Sequence, residues 1–150
     1  KHSLSFCLNQ YTFCWRFTYK LELELKTTKN GIKFYAYKNI NNIKIFNEDV
    51  SEIWLGFYKN KLYTISIDIK TTDNSRQIEI EHKLENLFGE ASEGDTSKSE
   101  LNYAWSYLWK TNKVYLGYNK ASCSSEFKPC ISNIYMISLK LQQQIENDSF

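Results

Sequence analysis

Between Arg16 and Lys26 apolar and polar residues alternate without a break. Phe17, Tyr19, Leu21, Leu23 and Leu25 fall on one side, and Arg16, Thr18, Lys20, Glu22, Glu24 and Lys26 on the other. A period of two is that of a strand with one wet face, so one long strand is predicted here. Asn30-Gly31 follows, a pair that tolerates the positive φ of a tight hairpin turn, and Ile32–Tyr37 is the predicted return strand. Asn39, Asn41 and Asn42 mark the next turn, and Ile43–Phe46 reads as a short strand. Glu52–Tyr58 is apolar on both sides, the pattern of a central strand. After a turn at Lys59-Asn60, Leu62–Ile69 returns, with Tyr63, Ile65, Ile67 and Ile69 toward the core and Thr64, Ser66 and Asp68 away from it. The first half therefore reads as an antiparallel meander.

The period changes after Thr72. Asp73, Asn74 and Ser75 are N-cap residue types, Asn74 and Gln77 have the spacing of a capping box, and Ile80, Leu84, Leu87 and Phe88 form an apolar helical stripe. Gly89 stands where a helix ends, so Ser75–Phe88 is predicted as a helix lying on the sheet. Glu90–Glu100 reads as an acidic loop. Leu101–Trp109 alternates again, Thr111-Asn112 turns the chain, and Lys113–Tyr118 is the partner strand. Ala121–Pro129 is a loop, Ile131–Ile137 a last strand, and Ser138–Asn147 a short helix or a frayed tail. No internal repeat or domain boundary stands out, and the 150 residues fit one domain. The predicted fold class is α+β: a curved antiparallel sheet of about seven or eight strands, a packed helix at 75–88 and a short C-terminal helix. Its expected core includes Leu21, Leu23, Ile53, Leu55, Phe57, Ile65, Ile67, Ile80, Leu84, Leu87, Trp105 and Leu116.

Composition sharpens this picture in two ways. Aromatics make up 16% of the chain, which suits half-buried pleated surfaces. The net charge is +2, with 19 basic against 17 acidic residues, and only Arg16 and Arg76 are arginine. Sequence-specific nucleic-acid binding leans on bidentate arginine, so it is not expected. No apolar run approaches the roughly 20 residues of a membrane-spanning helix.

One resemblance emerges from these elements. Phe57-Tyr58-Lys59-Asn60-Lys61-Leu62-Tyr63, then a helix ending Leu84-Glu85-Asn86-Leu87-Phe88-Gly89, then a hairpin carrying Trp105, resembles a group of small uncharacterised bacterial α+β domains. It covers Ile53 to Tyr118. The shared features are hairpin and helix-packing motifs, so the resemblance brings no catalytic residues. Many such proteins are exported or lipid-anchored, and the resemblance thereby favours the cell envelope or secretion over the cytoplasm.

Candidate chemistry is sparse. The four cysteines form two pairs of equal spacing, Cys7 with Cys14 and Cys123 with Cys130. Zinc sites usually place paired cysteines two to four residues apart, so disulfides are the better expectation, and four cysteines allow three connectivities. The alternative is four free thiols buried as small hydrophobes. Tyr103, Trp105, Tyr107 and Trp109 alternate along one strand. Facing solvent, this row is a stacking platform for sugars, nucleobases or a protein partner; facing inward, it is half of the core, which the polar opposite side favours. Glu79 and His82 have the i, i+3 spacing of half a di-iron motif, but no second half exists, and a solvated helix face is the simpler reading. No nucleophile elbow, Gly-rich phosphate loop or cofactor motif is present.

These features point to a non-enzymatic binding or interaction domain with a protein or carbohydrate partner. Two alternatives stand beside it: a small hydrolase with acids assembled from separate strands, and an intracellular inhibitor or immunity-type protein. No catalytic residue, metal ligand or cofactor is assigned from the sequence.

Overall fold

Two left-handed turns start the architecture. At Asn30-Gly31 φ is 51° and 74°, and at Lys59-Asn60 it is 46° and 60°. Paired positive φ values match the twist of the flanking strands and close tight antiparallel hairpins. The computed structural model describes residues 4–8, 13–17, 22–91, 93–99, 102–121, 123 and 130–149, with side chains at 22–91, 106–121, 123 and 130–149. The strands are β1 (Leu4–Leu8), β2 (Phe13–Phe17), β3 (Leu23–Lys29), β4 (Ile32–Tyr37), β5 (Lys44–Ile45), β6 (Glu48–Tyr58), β7 (Lys61–Thr71), β8 (Glu93–Ser99), β9 (Asn102–Lys110), β10 (Val114–Lys120) and β11 (Cys130–Ser138). Helix α1 (Asn74–Phe88) follows β7, and α2 (Leu139–Asp148) follows β11.

The fold is α+β, as the patterning predicts. Eight strands form one curved antiparallel path in the order β3-β4-β6-β7-β11-β10-β9-β8, with β5 beside β6, while β1 and β2 pair with each other. β3-β4-β6-β7 is the expected meander, and β8 to β11 form a second one. The two meet at β7 and β11, where Ile65 pairs with Met136 and Ile67 with Ile134. Each meander is four strands followed by a helix, so the chain has an internal repeat of topology that its sequence does not advertise. Its trace is short: Trp54-Leu55-Gly56-Phe57 on β6 and Tyr115-Leu116-Gly117-Tyr118 on β10 occupy corresponding places. Gly117 leaves room for the Tyr135 ring, and Gly56 for Phe34 and Thr64, on the strands beside them.

The core lies on one face of the sheet, under α1. Ile53, Leu55, Ile65, Ile67, Ile69, Leu116, Tyr118, Ile134 and Met136 meet Ile80 and Leu84 of the helix there. Asp73 caps α1, its carboxylate accepting from the Arg76 N–H at 3.1 Å. That contact holds the carboxyl below the usual carboxylate range. Leu23 and Phe57 pack at the margin of the core. The expected core positions Leu21 and Trp105 lie outside the described side chains.

Two local expectations are corrected, and one lies partly outside the described residues. Of the strand predicted from Arg16 to Lys26, Arg16 and Phe17 lie in β2 and Leu23 onward in β3, which has a bulge between Leu25 and Thr27, while residues 18–21 lie outside the described residues. Alternation alone carries no information about which partner each stretch finds. The loop predicted at Glu90–Glu100 contains β8, which pairs from Glu93↔Leu108 to Ser99↔Asn102. Its Glu-Gly-Asp-Thr-Ser-Lys-Ser run has little strand propensity, but pairing to β9 organises it, and polar residues suit a sheet edge. Leu87, expected in the core, is 45% exposed, because in the last turn Phe88 turns inward instead; near the other end Gln77 is fully buried.

Helix α2 is the short C-terminal helix, capped by Ser138, whose side chain accepts from the Leu141 N–H. Its far end is fastened by Asp148, which accepts from Tyr58 Oη and from Lys59 Nζ. Lys59 and then Tyr58 hold this carboxyl below the usual aspartate range. The contribution is therefore present above the unfolded aspartate pKa, about 3.9, and is lost as pH falls through the lower folded value. Amide exchange in α2 is expected to accelerate on acidification below about pH 4, and Asp148→Asn is expected to remove that pH dependence.

Candidate functional site

Alternation along the strands gives the sheet a second face, turned away from α1. On it the register aligns a polar row: Glu52 opposite Asp68, Asp68 opposite Asn133, Asn133 opposite Asn119, and Asn119 opposite Ser106. Five strands each contribute one residue. Directly paired positions have side chains about 5 Å apart, close enough to bond to each other. Asn133 Nδ2 donates to Asp68 Oδ1 at 2.7 Å and to Ser66 Oγ at 2.7 Å, and Ser106 Oγ donates to Asn119 Oδ1 at 2.7 Å. Trp54 stands next to the row, half-buried, and its Nε1–H donates to Glu52 Oε2 at 2.8 Å. The result is a shallow surface of amide, hydroxyl and carboxylate groups beside one indole. Mutual hydrogen bonds fix the side chains in place, and unused lone pairs and N–H groups remain for a ligand.

The other face holds a concave feature beyond the cover of α1. A cleft of about 520 Å³ is lined by Leu23, Gly31, Lys33, Tyr35, Phe57, Lys59 and Asn60. Its floor is apolar, and the Tyr35 and Phe57 rings meet edge to face at 5.7 Å. Leu25, opposite Tyr35 in the register, is 53% exposed at its margin.

Of the aromatic row singled out in the sequence, Tyr107 and Trp109 are placed elsewhere. Trp109 is buried, and its Nε1–H donates to the Gly89 carbonyl at 2.7 Å where α1 ends. Tyr107 stacks on Trp109 and on Tyr118, with centroids 6.4 Å apart in both pairs. These two residues belong to the layer under α1 and offer no open platform. The side chains of Tyr103 and Trp105 lie outside the described residues. Neither half of the row singles out the polar face, because Asp68 and Asn133 are 65 residues apart in sequence and only the β7–β11 register unites them.

Cys123 and Cys130 are joined by a disulfide, with Cα atoms 5.3 Å apart. It closes a short loop at the start of β11 and limits the freedom of the unfolded chain there. Reduction is expected to lower stability by about 2–3 kcal/mol, read as a fall in the midpoint of urea unfolding with and without reductant. Cys7 and Cys14 stand directly opposite each other in the β1–β2 register, and their side chains lie outside the described residues. Glu79 is occupied by Arg76 Nη1 and Lys83 Nζ, each at 2.6 Å, while His82 faces Glu85 at 3.3 Å. The half-motif is thus a salt-bridged helix surface, and among the described residues no group of three or more His, Cys, Asp or Glu is gathered to hold a metal ion. No helix among the described residues is long and apolar enough to cross a membrane. No protein family, curated protein or solved structure was found to match this chain.

Proposed function

We propose that this chain is a non-enzymatic binding domain whose contact surface is the sheet face turned away from α1, centred on Trp54, Asp68, Asn133 and Asn119. The observation that carries this reading is the continuous polar row across five strands with an indole beside it. Its mixture of donors and acceptors suits a polyhydroxylated, carbohydrate-like ligand, whose hydroxyls both give and accept hydrogen bonds and whose apolar ring faces stack on Trp. The disulfide supports a protein of an oxidising compartment, in keeping with export.

A second reading, hydrolysis, is favoured by one feature: Glu52 and Asp68 are cross-strand neighbours. A glycosidase needs its two acids on either side of the scissile bond, about 5–9.5 Å apart, and a shared open face offers no such enclosure.

Calorimetric and thermal-shift titration with a panel of oligosaccharides tests the proposal. A polyhydroxylated ligand is expected to raise the melting temperature. Trp54→Ala and Asn133→Ala are each expected to abolish that shift while the unliganded protein stays folded. Sugar binding that survives both substitutions, or no sugar binding at all, sinks the proposal. Release of reducing ends that Asp68→Asn abolishes would move the protein to the hydrolase class.

A further inference from the structure

The cleft on the α1 side of the sheet presents its groups in a fixed order. Lys33 stands opposite Phe57 in the β4–β6 register, and Tyr35 stands between Leu55 on β6 and Leu25 on β3. Lys33, Tyr35 and Phe57 therefore share one face. The cationic residue is the one nearest the Asn30-Gly31 turn, and the apolar residues run away from it toward Leu23. The volume of about 520 Å³ falls within the range of small-molecule sites, roughly 300–1,000 Å³. Such sites are mostly apolar, with a few polar groups that fix the orientation of the ligand.

The polar groups here are of one kind. Lys33 and Lys59 line the cleft, and among the described residues no carboxylate lines it. Lys59 is held by Asp148, with Nζ 2.8 Å from Oδ2. Among the described residues the Lys33 ammonium has no hydrogen-bond or ion-pair partner, and the Tyr35 hydroxyl has no hydrogen-bond partner. A free cation and a free hydroxyl donor thus stand two residues apart on β4, beside an apolar floor. Lys29 and Lys61 adjoin the same two turns and add positive charge to this end of the sheet. A charge-assisted hydrogen bond to an ammonium selects an anionic head group, and apolar walls select an apolar body.

We propose that this cleft binds a small monoanionic amphiphile, a molecule with an alkyl body and one carboxylate-type head group. The head group pairs with Lys33 and accepts from the Tyr35 hydroxyl. The alkyl body lies over Tyr35 and Phe57 toward Leu23 and Leu25, the last of which is 53% exposed and gains cover. The site is on the opposite face of the sheet from the polar row and stands or falls without it.

Titration of the full chain with decanoate, followed by amide and methyl chemical shifts, tests this. Saturable shifts are expected at Leu23, Leu25, Lys33, Tyr35 and Phe57. Decanol, with the same body and no charge, is expected to bind more weakly. Lys33→Gln, at an exposed position, is expected to weaken decanoate binding about three- to five-fold, the worth of one exposed charge pair, and to leave decanol binding unchanged. Lys140→Gln removes the same charge from exposed α2 surface and is expected to change neither affinity. Equal affinity for decanoate and decanol would overturn the proposal, as would the absence of saturable shifts at these residues below the micelle concentration. Shifts produced by vesicles of anionic phospholipid but not by dissolved decanoate would overturn it too, because a membrane surface would then be the partner.

Discussion

Glu81→Ala is expected to destabilise the protein by about 3–5 kcal/mol, a large share of the total stability of an ordinary domain. Glu81 of α1 and Lys120 at the end of β10 form an ion pair in which the side chains are only 13% and 8% exposed. Lys120 Nζ also lies 5.1 Å from the centre of the Tyr107 ring. Taking away the carboxylate removes the opposite charge from an ammonium that is only 8% exposed and that keeps its contact with the Tyr107 ring, and the burial of that charge, more than the lost attraction, sets the cost. Replacing both partners by apolar residues of similar volume, Glu81→Leu with Lys120→Met, is expected to recover most of the loss or to exceed the original stability. Urea unfolding of the two variants decides the matter. A single substitution that changes stability by less than about 1 kcal/mol would mean that the pair behaves as an exposed one.

Tyr118→Ala should be as damaging, at about 3–5 kcal/mol, and for a different reason. Among the described residues Tyr118 is the largest side chain with no exposed surface. It stacks on Tyr107, belongs to the apolar cluster with Ile80 and Leu84, and donates its hydroxyl proton within reach of the Gln77 carbonyl at 3.0 Å and Ser132 Oγ at 3.1 Å. Burial pushes the phenol far above its usual pKa, so it stays a neutral donor at any pH at which the protein is handled. Truncation to alanine opens a cavity beneath α1 and removes the one hydroxyl that hydrogen-bonds both Gln77 and Ser132. Tyr118→Phe keeps the volume and removes only the hydroxyl, so about 1–2 kcal/mol is expected. Equal losses for both variants would show that the hydroxyl, not the ring, dominates.

These residues also show what a sequence can and cannot disclose. Asn30-Gly31 and Ser75–Phe88 were legible because local chemistry decides them: a positive-φ pair in one case, a capped apolar stripe in the other. The same alternation that marks a strand also showed Ser66 and Asp68 turning away from the core. It could not reveal that Asn133 would meet them, because that contact depends on β11 pairing with β7 in one register. β8 was invisible for a related reason, since its own residues resist strand formation and only β9 recruits them. Trp109 shows the limit for function. Its place in an aromatic row favours a core over a platform because the opposite side is polar, and the course of α1, whose end supplies the Gly89 carbonyl to its indole, is what buries it.

The seam between the two meanders has a consequence for how the chain reaches its native state. Within each meander, strands pair with neighbours in sequence, so those contacts can form early and locally. The seam joins Thr71 to Cys130 and Ile65 to Met136, across most of the second half of the chain. Closing so long a loop is slow relative to hairpin formation. During ribosomal synthesis β7, with Ile65, Ile67 and Ile69, therefore waits as an open edge until the last strand emerges. That interval, rather than any property of the finished fold, is when this protein is most exposed to pairing with the wrong partner.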